Sequence, residues 1–173
     1  MTDAAAPLAP TGFAALGVPE DVDRGLALAG FTQPFAIQIE AVPIALTGRD
    51  VCGRARTGSG KTLAFGVPML ARVRPRAEAH RPHGLVLVPT RELALQVADV
   101  LDPIATACGK SVLATYGGSS RQDQVTKLEG GIDIIVATPL RLVDLIKGKE
   151  VDLSAIEVVV VEDRKSTRLN SSH

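Results

Sequence analysis

Hydrophobic and polar positions follow two different patterns along the chain. From Gly12 to Leu46 apolar residues recur at helical spacing around the breakers Gly30 and Pro34. Beyond Gly48 short apolar runs alternate with amphipathic stretches. This pattern predicts strands at 50–53, 84–88, 111–116, 132–137 and 156–161, and helices at 60–71, 90–107, 119–128 and 139–147. Runs such as Gly84-Leu85-Val86-Leu87-Val88 and Ile132-Asp133-Ile134-Ile135-Val136 are almost unbroken apolar sequence, which suits strands covered on both faces. Strand and helix alternating in this way predict an α/β fold, a parallel sheet with helices on both sides. Residues 1–10, rich in Ala and Pro, read as a disordered leader, and Arg72 to His83 as a solvated loop. His80 and His83 in that loop could ligate a metal, but no Cys or carboxylate cluster stands beside them.

Composition narrows the class. At 173 residues, with 46% hydrophobic and 22% charged residues, the chain is about one globular domain long. No apolar run approaches the roughly 18 residues of a membrane span. Nothing at the N-terminus reads as a signal peptide. Cys52 and Cys108 stand in unrelated contexts without CxxC spacing, so they read as small buried hydrophobes in a reducing cytoplasmic setting. The formal charge of zero does not announce a nucleic-acid binder, so any such site must be local.

The strongest chemical signal is Ala55-Arg56-Thr57-Gly58-Ser59-Gly60-Lys61-Thr62, placed between a predicted strand and a predicted helix. Gly58 and Gly60 let backbone N–H groups turn inward around a polyphosphate, and the helix N-terminus adds about half a positive charge. Lys61 can reach the β- and γ-phosphates, and the Thr62 hydroxyl can ligate Mg²⁺. Ala55 stands where the general P-loop pattern opens with Gly. A nucleoside triphosphate site follows, but the P-loop does not say which reaction it serves.

Other motifs bear on that question. Gly30-Phe31-Thr32-Gln33-Pro34-Phe35-Ala36-Ile37-Gln38 precedes the P-loop. Pro89-Thr90-Arg91-Glu92-Leu93-Ala94-Leu95-Gln96, Gly117-Gly118 and Thr138-Pro139-Leu140-Arg141 each follow a predicted strand. In order and spacing these resemble the Q motif, motif I, motif Ia, the GG motif and motif Ib of DEAD-box ATP-dependent RNA helicases. Phe13, seventeen positions before Gly30, matches that family's upstream aromatic. The resemblance covers residues 11–162, with the Q motif at 11–39. It implies the first of two RecA-like domains, with ATP and Mg²⁺ as cofactors and RNA as partner.

The same resemblance assigns roles that chemistry supports. A carboxamide at Gln38 both donates and accepts, so it can pair with adenine N6 and N7, whereas guanine offers two acceptors at that edge. Such bidentate contacts discriminate by about 1–3 kcal/mol on DNA bases. Phe13 or Phe31 can give the base an apolar face, or each can be ordinary core. Phe35-Ala36 departs from the family's Thr-Pro, and Leu140 replaces the Gly of motif Ib. Pro89, Thr90, Arg91, Gly117, Gly118, Thr138, Pro139 and Arg141 are the expected RNA contacts, to phosphate and ribose and hence with little sequence preference. Arg91 and Arg141 can instead be solvated or paired with Glu92 and Asp144.

In the family, a strand like Val158-Val159-Val160-Val161 runs into Asp-Glu-Ala-Asp. Here Glu162 is followed by Asp163 to His173, and those eleven residues agree with an in-frame translation of a common DNA sequencing adapter. An Asp codon broken after GA and completed by the adapter's leading A becomes a Glu codon, so Glu162 reads as the remnant of the first Asp. Residues 163–173 are then a non-native tail. Without them the chain carries 16 basic residues (19 less Arg164, Lys165 and Arg168) and 18 acidic ones (19 less Asp163), a formal charge of −2.

On this reading the acid that positions the attacking water and the second RecA-like domain with its arginines are both missing. In the family the strand after the DEAD motif also lies between the P-loop strand and the DEAD strand. The parent is expected to be an ATP-dependent RNA helicase, and the chain alone an inactive part of one. The alternatives are a non-catalytic nucleotide- or RNA-binding module, or another P-loop enzyme such as a DNA helicase or a kinase.

Overall fold

The computed structural model describes residues 11–56 and 58–163. They form six α-helices: α1 (Glu20–Leu28), α2 (Ala36–Leu46), α3 (Lys61–Arg72), α4 (Arg91–Ala107), α5 (Arg121–Glu129) and α6 (Pro139–Lys147). Four strands complete the elements: β1 (Gly84–Leu87), β2 (Val112–Thr115), β3 (Ile134–Ala137) and β4 (Val158–Val161). The chain divides into two compact units. One comprises the residues up to Pro75 with Asp99–Ser111; the other comprises Arg76–Ala98 and the residues from Val112 on. Helix α4 is shared by sequence between them.

The first unit is helical. Glu20, Asp21 and Asp23 lie in the first turn of α1, where carboxylates complement the helix dipole, and Val22 and Leu26 turn inward. Val42 of α2, Leu63, Val67, Met69 and Leu70 of α3, and Leu101 and Ile104 of α4 complete a core in which each is almost wholly buried. Burying a Val, Leu, Ile or Met side chain contributes about 1.5–3 kcal/mol. At the end of α3 the Lys110 ammonium donates to the Leu70 carbonyl, satisfying one orphan acceptor of the last turn.

The second unit contains the sheet, all parallel, in the order β2-β3-β1-β4. Leu85 stands between Ile135 on one side and Val159 on the other, and Ile135 in turn is level with Leu113. Central β3 is buried throughout, as its unbroken apolar sequence predicts, while outer β2 and β4 alternate. Val125 and Leu128 of α5 and Leu142 and Leu145 of α6 pack with Leu85, Leu113, Ile135 and Ala137 on one face. Val86, Ile134 and Val136, which point to the other face, are equally buried. Arg121 at the start of α5 pairs with Glu150 and donates from Nε to Asp144 at 2.7 Å, and these bonds, Glu150 first and Asp144 second, hold its guanidinium pKa above the ordinary arginine value.

Three sequence expectations change. Residues 50–53 form no strand: none of the four described strands pairs with them, and without a neighbour an extended segment has no ladder. For the same reason Cys52 is exposed rather than buried. Cys108 is half-buried, and its thiol is pushed up chiefly by burial and then by Asp21. The 72–83 segment is not uniformly solvated. Arg72 ends α3, Val73 and His83 are buried, and the His83 N–H donates to the Asp133 carbonyl. Among the described residues no group of His, Cys, Asp or Glu is placed to hold a metal. The leader 1–10 and Arg164–His173 lie outside the described residues, so those expectations stay with the sequence.

Strand β4 is an edge, and Val161 on it is 69% exposed. An apolar edge invites pairing with other chains, and charged residues blunt it. Val161→Lys is expected to lower self-association of the chain in sedimentation velocity, with thermal stability changed by no more than about 0.5 kcal/mol. Unchanged association would show that this edge does not drive it.

Candidate nucleotide site and nucleic-acid interface

The glycine loop lies in the first unit. Gly58 and Gly60 both take left-handed conformations, φ +81° and +82°, and Gly60 caps α3, which begins at Lys61. Left-handed residues in such a turn direct successive N–H groups into one concavity, the geometry of an anion nest. Lys61 and Thr62, both half-buried, occupy the first two positions of the helix, where the dipole favours negative charge. Behind them the Ser59 N–H and hydroxyl both donate to the Arg56 carbonyl, at 3.2 and 2.6 Å. Ala55 is half-buried and Arg56 exposed, while Thr57 lies outside the described residues.

Gln38 reaches this loop. Its Nε2 donates to the Gly60 carbonyl at 2.9 Å, and its Oε1 accepts from the Phe35 N–H at 2.8 Å. The side chain is 2% exposed. Phe35 is the N-cap of α2, where the family's Thr would supply a capping hydroxyl; Phe has none, so the cap rests on the reciprocal bond from Gln38 three residues on. The Phe35 ring instead lies over the glycine loop, within 2.7 Å of where a Cβ on Gly60 would stand. Phe35, Ala36, Ile37 and Glu40 on one side, and Arg54, Ala55, Arg56 and Ser59 on the other, line an open cleft of about 410 Å³. Sequence reasoning does not single out Phe35 as a wall of the cleft; the signal for it is an aromatic where the family has Thr.

The two aromatic candidates separate. Phe13 is 1% exposed and packs in the core. Phe31 is half-buried, its N–H donating to the Leu26 carbonyl.

In the second unit every parallel strand ends at the same edge of the sheet, and the remaining candidates lie there. Pro89 and Thr90 follow β1; the Thr90 hydroxyl accepts from the Leu93 N–H at 3.2 Å and so caps α4. Arg91 is exposed, its guanidinium carbon 5.9 Å from the centre of the Tyr116 ring. Gly117 and Gly118 follow β2 and are exposed. Thr138 and Pro139 join β3 to α6, the Thr138 N–H donating to the Thr115 carbonyl at 3.0 Å. Arg141, 12% exposed at its side chain, donates to Gln124 Oε1 at 3.0 Å, and its Nε is 3.9 Å from Asp144. Arg91 is therefore stacked and only Arg141 approaches its suggested carboxylate. Leu140, in place of a glycine, is 87% exposed. Glu162 directly follows β4 and is buried, with its N–H donating to the Leu87 carbonyl at 2.9 Å, and Asp163 beyond it is exposed.

A parallel sheet with its loops gathered at one edge, and a glycine loop capping a helix, define a P-loop α/β protein of the RecA-like class. The DEAD/DEAH box helicase family matches residues 35–165. The chain belongs to that family. It is 42% identical over 160 residues to the pre-mRNA-processing ATP-dependent RNA helicase PRP5 of Phaeosphaeria nodorum, covering 88% of this chain and 14% of that protein. To the RNA helicase CrhR of Synechocystis it is 41% identical over 151 residues, 87% of this chain and 30% of the relative. The ADP-bound RNA helicase Prp28 of Chaetomium thermophilum superposes with a TM-score of 0.80 at 36% identity, over 91% of this chain and 39% of that one. The chain thus spans less than a third of the length of PRP5 and CrhR and about two-fifths of the Prp28 chain.

Proposed function

We propose that this chain is part of the first RecA-like domain of an ATP-dependent RNA helicase, which couples ATP binding and hydrolysis to RNA duplex remodelling. The observation that carries the reading is the clasp between Gln38 and the left-handed Gly60, at the head of a helix that begins Lys61-Thr62. Residues 11–162 are the proposed domain, and Asp163 to His173 a non-native tail.

In this site the glycine-loop N–H groups and Lys61 hold the phosphates. Phe31 is the proposed apolar neighbour of the base and Phe13 the packing behind it. The donor set suits Mg²⁺: one hydroxyl, Thr62, and no carboxylate cage among the described residues fits an ion that keeps several waters and is bound largely by substrate phosphates. When bound, Mg²⁺ would be held on the protein side by the Thr62 hydroxyl and would supply charge neutralisation at the phosphates. Gln38 retains one N–H and one lone pair beyond its two observed bonds, which is what adenine N7 and N6 require. In the second unit Arg91, Arg141 and the helix starts that follow Thr90 and Thr138 offer cations and N–H groups to RNA phosphate. Hydrolysis itself needs the acid expected after β4 and arginines from a second RecA-like domain.

The test is nucleotide choice in the full-length protein. ATP is expected to bind more tightly than GTP by about tenfold or more, the range of one bidentate base contact. Gln38→Ala should erase the preference and weaken both nucleotides, because the clasp on Gly60 is lost. Equal affinity for ATP and GTP in the unaltered protein, measured by calorimetric titration, would reject the assignment of Gln38 to the base.

A further inference from the structure

Gln124 has no assigned role, yet it joins two of the loops described above. It lies four residues before Leu128 on the inward face of α5 and is 6% exposed. Its Nε2 donates to the Tyr116 carbonyl at 3.2 Å and to the Ser119 hydroxyl at 2.6 Å, bracketing Gly117-Gly118. Its Oε1 accepts from Arg141 Nη1 at 3.0 Å. The Tyr116 whose carbonyl it holds also carries Arg91 over its ring.

Charge decides what this arrangement does. Asp144, the carboxylate nearest Arg141, is 3.9 Å from its Nε but only 2.7 Å from the Nε of Arg121. Arg121 therefore takes most of the Asp144 charge, and the close acceptor left to Arg141 is the neutral carboxamide. A carboxamide fixes a guanidinium by hydrogen bonding without cancelling its positive charge, and the remaining N–H fork stays available to a phosphate.

The geometry points to Gln124 as a positioning residue for RNA phosphate: it orients Arg141 without neutralising it, and locks the Gly117-Gly118 loop beside it. The inference rests on the reading of Arg141 as an RNA contact. It differs from a packing role because it acts through Arg141 and through charge.

A double-mutant cycle in the full-length protein tests it, with a labelled oligouridylate as probe. Arg141→Ala is expected to weaken RNA binding about tenfold, or about 1.4 kcal/mol. Gln124→Met, of similar volume, should weaken it comparably, and the double variant should be no weaker than Arg141→Ala, since residues acting as one unit do not add. Gln124→Glu keeps an acceptor for Arg141 but neutralises it. That variant should lower the slope of log affinity against log salt by about 0.7, one single-strand phosphate contact, and serves even if Gln124→Met fails to fold. Additive losses, an unchanged slope in Gln124→Glu, or an inert Gln124→Met beside a weakened Arg141→Ala would each overturn the inference alone. An inert Arg141→Ala would overturn the RNA reading of that residue and the inference with it.

Discussion

Lys61→Ala in the full-length protein is expected to lower RNA-stimulated ATP hydrolysis at least about 100-fold, some 2.7 kcal/mol of transition-state stabilisation at 1.36 kcal/mol per tenfold. Lys61 opens α3 directly after left-handed Gly60, so its ammonium adds a full charge where the helix already contributes about half of one. Phosphoryl transfer depends almost wholly on positioning and on stabilising charge at the phosphate oxygens, so loss of this cation acts on the chemical step as well as on binding. RNA affinity without nucleotide should stay within twofold, because the proposed phosphate contacts Arg91 and Arg141 belong to the other compact unit. Steady-state phosphate release and nucleotide-free RNA titration check both halves. Hydrolysis retained above a tenth of the starting rate would remove Lys61 from the chemistry.

The second large effect separates two glycines that the sequence treats alike. Gly58 and Gly60 have φ of +81° and +82°, and a side chain in that region costs roughly 1–2 kcal/mol. Around Gly58 no atom lies within 4 Å of an added Cβ, so Gly58→Ala should carry that cost and little else. At Gly60 the added carbon would strike the Gln38 amide and the Phe35 ring. The clasp to the Gly60 carbonyl would break, leaving buried polar groups of Gln38 without their partner, a further penalty of about 1–3 kcal/mol. Gly60→Ala is therefore expected to weaken ATP binding at least about tenfold more than Gly58→Ala, and to lower the melting temperature further. Equal losses in fluorescent-nucleotide titrations would mean that the clasp is irrelevant to the loop.

The sheet was legible from sequence wherever apolar runs coincided with paired strands: β1, β2, β3 and β4 fall inside their predicted segments. Residues 50–53 read as a strand from sequence and form none, because pairing is a property of two segments and none of the four described strands pairs with them. Composition could not tell Phe13 from Phe31 either, since an aromatic in a short helical stretch is compatible with both core and ligand contact. The Gly58–Thr62 loop was legible because its chemistry is local. The bond from Gln38 to Gly60 crosses 22 residues, and the Arg141 contact with Gln124 crosses 17, so neither had a local signature. Gln124 carried one faint signal, a polar residue on the inward face of a helix.

Strand order has a consequence for how the chain is made. β1 is the first strand synthesised, yet its two neighbours are the last two: Gly84 pairs with Ile134, 50 residues on, and with Val158, 74 residues on. The nearest-neighbour pairing in sequence, Val112 with Ile134, spans 22 residues and excludes β1 altogether. An emerging chain therefore carries an apolar strand with both edges open until β3 arrives, and with one open until β4 does. Long-range parallel pairing of this kind slows folding, because loop closure must be met before contacts reward it. On the ribosome, the interval between translation of Leu87 and of Val161 is the window in which a chaperone that binds extended apolar segments would find β1.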